Sequence, residues 1–193
     1  MFGSRPPCAG TTELPANCPA EAGASAAYDL GSAQWWVLYS LSRQEKLLTR
    51  RLRAQGIAFY CPTIAKRSRS PSGRVRVSYL PLFSNYVFMR GGEDQRRAAL
   101  TTRCVSRALL APDQDQLHRD LQQIRNLIAT GAPLTVESML QPGALVRVKT
   151  GPFRGFEGVV QRRQGRTHLL VAVNFLQQGA SVLIDDCQVD PLD

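Results

Sequence analysis

Two histidines, five cysteines and one pair of adjacent aspartates are the residues here whose chemistry could serve a reaction, and their spacing supports none. His118 stands one helical turn from Asp115, but no nucleophile accompanies the two in a known arrangement. His168 opens a predicted strand with neither cysteine nor acid beside it, and Asp185-Asp186 reads as a turn rather than a metal site. Cys8, Cys18, Cys61, Cys104 and Cys187 are scattered and odd in number, and none forms the C-x-x-C pair that zinc sites use. They read as reduced thiols in a reducing compartment. No glycine-rich phosphate loop ending in Lys-Ser or Lys-Thr occurs. The expectation is a protein without catalytic residues, metal or cofactor, whose function is binding.

Charge says where the binding lies. The formal net charge is +9. Residues 1–33 carry −2, residues 34–133 carry +11 from 17 basic and 6 acidic side chains, and residues 134–193 are neutral with 6 of each. The basic excess therefore sits in the middle segment, the footprint of a partner rich in phosphate or carboxylate, or else a solvated basic face. No apolar run approaches the ~18 residues of a membrane span. The N-terminus lacks the charged start and apolar core of a secretory signal, so the expected location is the cytoplasm.

The elements that must carry these residues follow from hydrophobic period and turn chemistry. Residues 1–33, rich in Pro, Ala, Gly, Ser and Thr, predict a disordered tail. Trp35 to Tyr39 predicts a buried strand. Ser42-Arg43-Gln44-Glu45 matches a capping box that would start a helix running to about Gln55 and stopping at Gly56. A second strand over Ile57–Tyr60 leads to a basic hairpin with a turn at Pro71-Ser72-Gly73. Strands over Asn85–Met89 and Val105–Leu109 flank a short helix from Asp94 to Leu100. Asp113 caps a helix whose stripe is Leu117, Leu121, Ile124 and Ile128. Residues 34–130 thus predict an α+β domain, an antiparallel sheet flanked by helices. Residues 131–141 read as a linker, and 142–193 as a small all-β barrel of four or five short strands.

Two segments carry the binding signal. In Phe83-Ser84-Asn85-Tyr86-Val87-Phe88, strand alternation puts Phe83, Asn85 and Val87 on one face and Ser84, Tyr86 and Phe88 on the other. A strand apolar on both faces is either fully buried or offers one face to a partner as an aromatic groove. In Val146–Val160, three glycines at spacings of four and three sit between alternating apolar residues, giving strand, tight turn, strand.

The second segment resembles the KOW motif of transcription and ribosomal proteins. The order Trp35-Trp36-Val37-Leu38-Tyr39, basic helix, Gly56-Ile57, Cys61-Pro62, basic hairpin and Pro81-Leu82-Phe83-Ser84-Asn85-Tyr86-Val87-Phe88 resembles the N-terminal (NGN) domain of the NusG family. The Leu-Phe-x-Asn-Tyr form is more similar to the specialised RfaH branch than to housekeeping NusG, with Ser84 where both have proline. The resemblance implies a non-enzymatic transcription elongation and antitermination factor. It implies that Phe83, Ser84, Asn85, Tyr86 and Phe88 contact the clamp helices of the largest RNA polymerase subunit. It also implies that Arg43, Thr102 and Arg103 touch non-template or upstream DNA, and that Phe175 in the KOW unit meets a small ribosomal protein or the Rho factor. The expected protein is a monomer. The five glycine and proline positions between Gly143 and Gly158 favour a resident β-barrel, although Arg166–Gln178 alone could be helical. The competing reading is a ribosome-associated, RNA-binding KOW protein; that reading would place the charge excess on the barrel, which is neutral.

Overall fold

A computed structural model of the chain describes residues 33–70, 73–137, 143–163, 166–184 and 189–192. The predicted tail, apart from its last residue, lies outside them, as do Asp185-Asp186, Cys8, Cys18 and Cys187.

Strand β1 (Gln34–Ser40) is the centre of the first half. Its tryptophans and β-branched or aliphatic neighbours alternate between two cores, so both faces are covered. Trp35 and Val37 join one core, and Trp36 and Leu38 the other. Around it forms a four-stranded antiparallel sheet in the order β2-β5-β1-β6, with β2 at Ala58–Tyr60, β5 at Tyr86–Gly91 and β6 at Val105–Leu110. Helix α1 (Glu45–Ala54) buries Leu48 and Leu52 against Trp36, Leu38, Val87 and Met89 on one face, beside Ala99 of α2 (Glu93–Thr101). Helix α3 (Gln114–Ala129) covers the opposite face with Leu117, Leu121, Ile124 and Leu127. Strands β3 (Thr63–Arg69) and β4 (Val75–Pro81) leave the body as a separate two-stranded ribbon.

The caps divide between expectation and correction. Asp113 caps α3, its carboxylate accepting from the Gln116 N–H at 2.8 Å. Gly56, at φ +67, ends α1 with the paired bonds Ile57 N–H to Leu52 C=O and Gly56 N–H to Arg53 C=O. The Ser42 capping box does not form. Arg43 takes a left-handed conformation at φ +60, so the helix starts at Glu45 with Gln44 at its N-cap and no side-chain cap. Glu45 is then free for a tertiary contact described below.

The second half is all-β, as expected. Strands β8 (Leu145–Val148), β9 (Glu157–Arg163), β10 (Arg166–Val173), β11 (Gln178–Leu183) and β12 (Val189–Pro191) join one antiparallel sheet in the order β12-β8-β9-β10-β11-β7. Its last member is unexpected. β7 (Leu134–Glu137) comes from the segment read as a linker and pairs with β11, Val136 opposite Ala180. Those four residues are therefore sheet edge rather than free chain. Between β8 and β9, Gly155 (φ +87) completes the turn, and its N–H bonds to the Val148 carbonyl at 2.8 Å. Gly158 is required for a different reason: a Cβ there would stand 2.4 Å from the Leu170 carbonyl oxygen of the neighbouring strand. Gly158→Ala should destabilise this unit by about 1–3 kcal/mol, the usual cost of forced overpacking, because backbone cannot yield as a side chain can. A thermal melt reads this directly, and an unchanged melting temperature would contradict the close strand approach.

Candidate binding site at the end of the sheet

Because β5 and β6 both run antiparallel to β1, the C-terminal end of β1 meets the starts of the other two. Three loops therefore converge at one end of the sheet. The Ser40 N–H bonds to the Asn85 carbonyl and the Leu41 N–H to the Cys104 carbonyl, each at 2.8 Å. This topology brings together Arg43, the Ser84-Asn85-Tyr86 segment and Thr102-Arg103, which lie far apart in sequence. Among the described residues four non-glycines have positive φ, and three of them, Arg43, Asn85 and Arg103, are here. Such conformations cost of order 1 kcal/mol or more each and persist where surroundings over-determine them.

Two polar residues of α1 supply that determination. The buried Glu45 carboxylate accepts from the Asn85 N–H at 2.8 Å, fixing the 83–85 turn. The Arg51 guanidinium donates to the Thr102 carbonyl and lies 3.3 Å from Cys104 Sγ, fixing the loop that carries Arg103. One helix thus anchors both loops. Glu45 has a second effect: burial first, and this carboxylate second, push the Cys61 thiol up to about 12, leaving it an inert core thiol. Cys104 is likewise buried.

The predicted aromatic groove takes a different form. β5 begins at Tyr86, and the left-handed Asn85 breaks the alternation expected from Phe83 onward. Phe83 and Phe88 consequently reach the same core and meet edge to face at 6.3 Å, both almost wholly buried. They do not line an open surface in this conformation. Tyr86 is half-buried and stacks edge-on against Tyr39 at 5.3 Å, and Tyr39 is 38% exposed. Leu41 and Leu47, also exposed, lie on the loop after β1 and the first turns of α1. Ser84 is exposed and Asn85 half-buried.

Arg43 and Arg103 are both exposed. Thr102 departs from the expectation of a nucleic-acid contact. It is buried, its hydroxyl donates to the Ala99 carbonyl at 2.6 Å and accepts from the Cys104 N–H at 3.3 Å, so it closes α2 instead of facing solvent. On the basic helix α1, Arg53 is engaged within the fold, lying over the Phe59 ring at 5.7 Å.

The Phe175 loop lies elsewhere, against α3. Asn174–Leu176 form a 3-10 turn following β10, and the Asn174 N–H donates to the Asp120 carboxylate at 2.9 Å. Gln123 accepts from the Glu157 N–H at 3.0 Å. Phe175 is half-buried and packs on the core shared by α3 and the C-terminal sheet. Neither Asp120 nor Gln123 was recognisable from sequence as a contact residue. The one available signal was an acid interrupting the buried face of α3 between Leu117 and Leu121.

His118 tilts against Trp35, with ring centroids 6.0 Å apart, and contacts the Gln122 amide. Among the described residues no group of three or more His, Cys, Asp or Glu is placed to hold a metal, and no helix is long and apolar enough to cross a membrane.

The chain thus consists of an α+β domain followed by a glycine-turn β-unit, and comparison with known proteins assigns its family. The model described as "Transcription termination factor nusG" matches residues 33–130, and the KOW motif matches residues 142–175. The chain belongs to the NusG family. Similar solved structures include one titled "Domain interaction in Thermotoga maritima NusG", 18% identical, covering 85% of this chain and 99% of that one at a TM-score of 0.46. Another is the MjSpt4:Spt5 complex in conformation B, 13% identical, covering 82% of this chain and 97% of that one at a TM-score of 0.28. No curated protein matches.

Asp120 provides a test of the contact between α3 and the β-unit. Burial raises its carboxyl above the ordinary 3.8, against the lowering effect of the Asn174 N–H, the Gln116 amide and Arg119. A raised folded value means that the protonated form is favoured. Its stabilisation is complete below the ordinary value and is lost as pH rises through the raised one. Asp120→Asn cannot ionise, so its melting temperature should gain on that of the wild type as pH rises above 3.8. A wild type that instead gains on the variant would show that the hydrogen bonds to the ionised carboxylate dominate.

Proposed function

We propose that this protein is a transcription elongation and antitermination factor of two functional units, residues 34–130 and 142–193, connected through 131–141. The first unit binds RNA polymerase at the clamp helices of its largest subunit. The second recruits a further factor, a small ribosomal protein or Rho, through Phe175. The observation that carries the reading is the convergence of the exposed Tyr39, stacked on the half-buried Tyr86, with the exposed Arg43 and Arg103 at one end of the sheet, in a chain of this family.

The physical roles divide accordingly. The tyrosine pair supplies the apolar anchor, and Ser84 and Asn85 form its polar border. Arg43 and Arg103 grip the exposed non-template strand or upstream DNA by phosphate contact, which also steers association. Thr102 serves by shaping the loop that presents Arg103. Phe83 and Phe88 hold the turn beneath Tyr86 and reach a partner only if the face above them opens. Holding the polymerase clamp closed disfavours paused states, a population shift that needs no covalent chemistry. A monomer acting in the cytoplasm, without cofactor, is sufficient for this activity. The loop carrying Phe175 lies against α3, so recruitment through it requires that this contact release.

Burial decides which residue tests the polymerase site. Truncating a buried phenylalanine costs about 3–5 kcal/mol, comparable to the entire stability of many domains, so Phe83→Ala or Phe88→Ala would confuse unfolding with lost binding. Tyr86 is only half-buried, so Tyr86→Ala costs less structurally than truncating either phenylalanine. It should weaken binding of the full chain to core RNA polymerase at least tenfold with a melting temperature near that of the wild type. Unchanged affinity would refute the site, and wild-type protein that binds ribosomal RNA but not polymerase would favour the ribosome-associated reading.

A further inference from the structure

The β3–β4 ribbon is the one large feature that the site above does not use. From Thr63 to Pro81 it carries Lys66, Arg67, Arg69, Arg74 and Arg76 and no acid. Its base is fixed: Ile64 packs on the main core, and the Leu82 N–H bonds to the Pro62 carbonyl at 2.7 Å. Beyond the base it pairs only with itself, through the ladder Lys66–Ser78, Arg67–Val77, Ser68–Arg76 and Arg69–Val75. Directly paired residues share a face. Lys66 and Arg76 therefore lie on one face of the ribbon, Arg67 and Arg69 on the other, and Arg74 at the tip. All five are exposed, and among the described residues none forms an ion pair with a carboxylate. The Arg67–Arg69 face also exposes Val75 (61%), Val77 (50%) and Tyr79 (42%).

We propose that this ribbon is a second nucleic-acid site, an arm that lies in a groove of double-stranded DNA and holds the phosphates on both walls. Three observations support duplex over other partners. Cations on both faces of a thin ribbon match a ligand with negative charge on two sides, which a single strand or a flat acidic patch does not offer. Two strands about 4.8 Å apart, with their side chains, fit the ~12 Å major groove, which admits a two-stranded ribbon. Serines and small apolar residues between the cations allow close approach to sugars and base edges without demanding a sequence, so recognition is by backbone charge. Seven-residue strands reach about 23 Å, enough to cross several phosphates on each wall.

The test needs no polymerase, so its failure is separate from failure of the polymerase reading. Binding of the full chain to a mixed-sequence 30-base-pair DNA duplex is followed by fluorescence anisotropy across a salt series. The comparison set is Arg67→Gln/Arg69→Gln/Arg74→Gln/Arg76→Gln and a charge-loss control, Arg97→Gln/Arg125→Gln, on exposed helix positions. Each lost phosphate contact lowers the slope of log K against log salt by about 0.9. The quadruple variant should lose at least tenfold in affinity at 0.1 M salt and flatten the slope by about 2–4, while the control stays within about twofold. The four arginines are exposed and belong to neither core, so the melting temperature should be retained. Three results would overturn the proposal: a quadruple variant with wild-type affinity and slope, a control that loses as much, or a loss seen on single-stranded DNA but not on the duplex.

Discussion

The burial of β1 on both faces is the constraint on which the remaining structure rests. Trp36 and Leu38 bind α1 and α2 to one side of the sheet, and Trp35 and Val37 bind α3 to the other. Each fully buried large side chain contributes about 1.5–3 kcal/mol, so these few residues contribute on the order of a small domain's whole net stability. Because β1 is central, its neighbours must be β5 and β6, and because both pairings are antiparallel, their first residues arrive beside its last. The gathering of Tyr86, Arg103 and Arg43 is thus a consequence of one strand's position. The polar work of α1 then refines it. Glu45 and Arg51 are a buried acid and a cation spent on backbone groups of the two loops, an arrangement that rigidifies loops which carry exposed residues.

The same logic separates what the sequence could reveal from what it could not. Strand β1, the Asp113 cap, the stop at Gly56 and the glycine turn before Gly158 depend on short-range chemistry, and all were legible. The capping box at Ser42 was locally plausible and failed because Glu45 is drawn to Asn85 N–H, a partner 40 residues away that no local pattern encodes. Alternation across Phe83–Phe88 failed for a related reason: a single left-handed residue resets the phase of a strand, and Asn85 gave no unambiguous sign of doing so. Strand β7 was missed because its pairing with β11 is supplied by a segment with turn-like neighbours and no strong period of its own. The arginines of the candidate site were identifiable as types, but their exposure on converging loops, and the burial of Thr102 next to Arg103, came only from the fold.

The C-terminal unit and the sheet domain share a core through α3, which presents apolar residues to the sheet and Asp120 and Gln123 to the Asn174 and Glu157 backbone. A helix used on both sides in this way couples two units that the sequence reads as independent. The coupling includes a buried carboxyl whose desolvation opposes its own hydrogen bonds, so the contact is held by partly cancelling terms. Such an interface is open to competition from a better partner for either face. In the proposed function those partners are the polymerase on one side and the recruited factor on the other.

The central claim is that the chain acts on elongating polymerase, and single-round transcription tests it most directly. Cognate polymerase, halted and released on a pause-rich template, is followed with and without saturating full-length protein. The account predicts shorter pause lifetimes with the protein present. Pause lifetimes that do not change at saturation would contradict it.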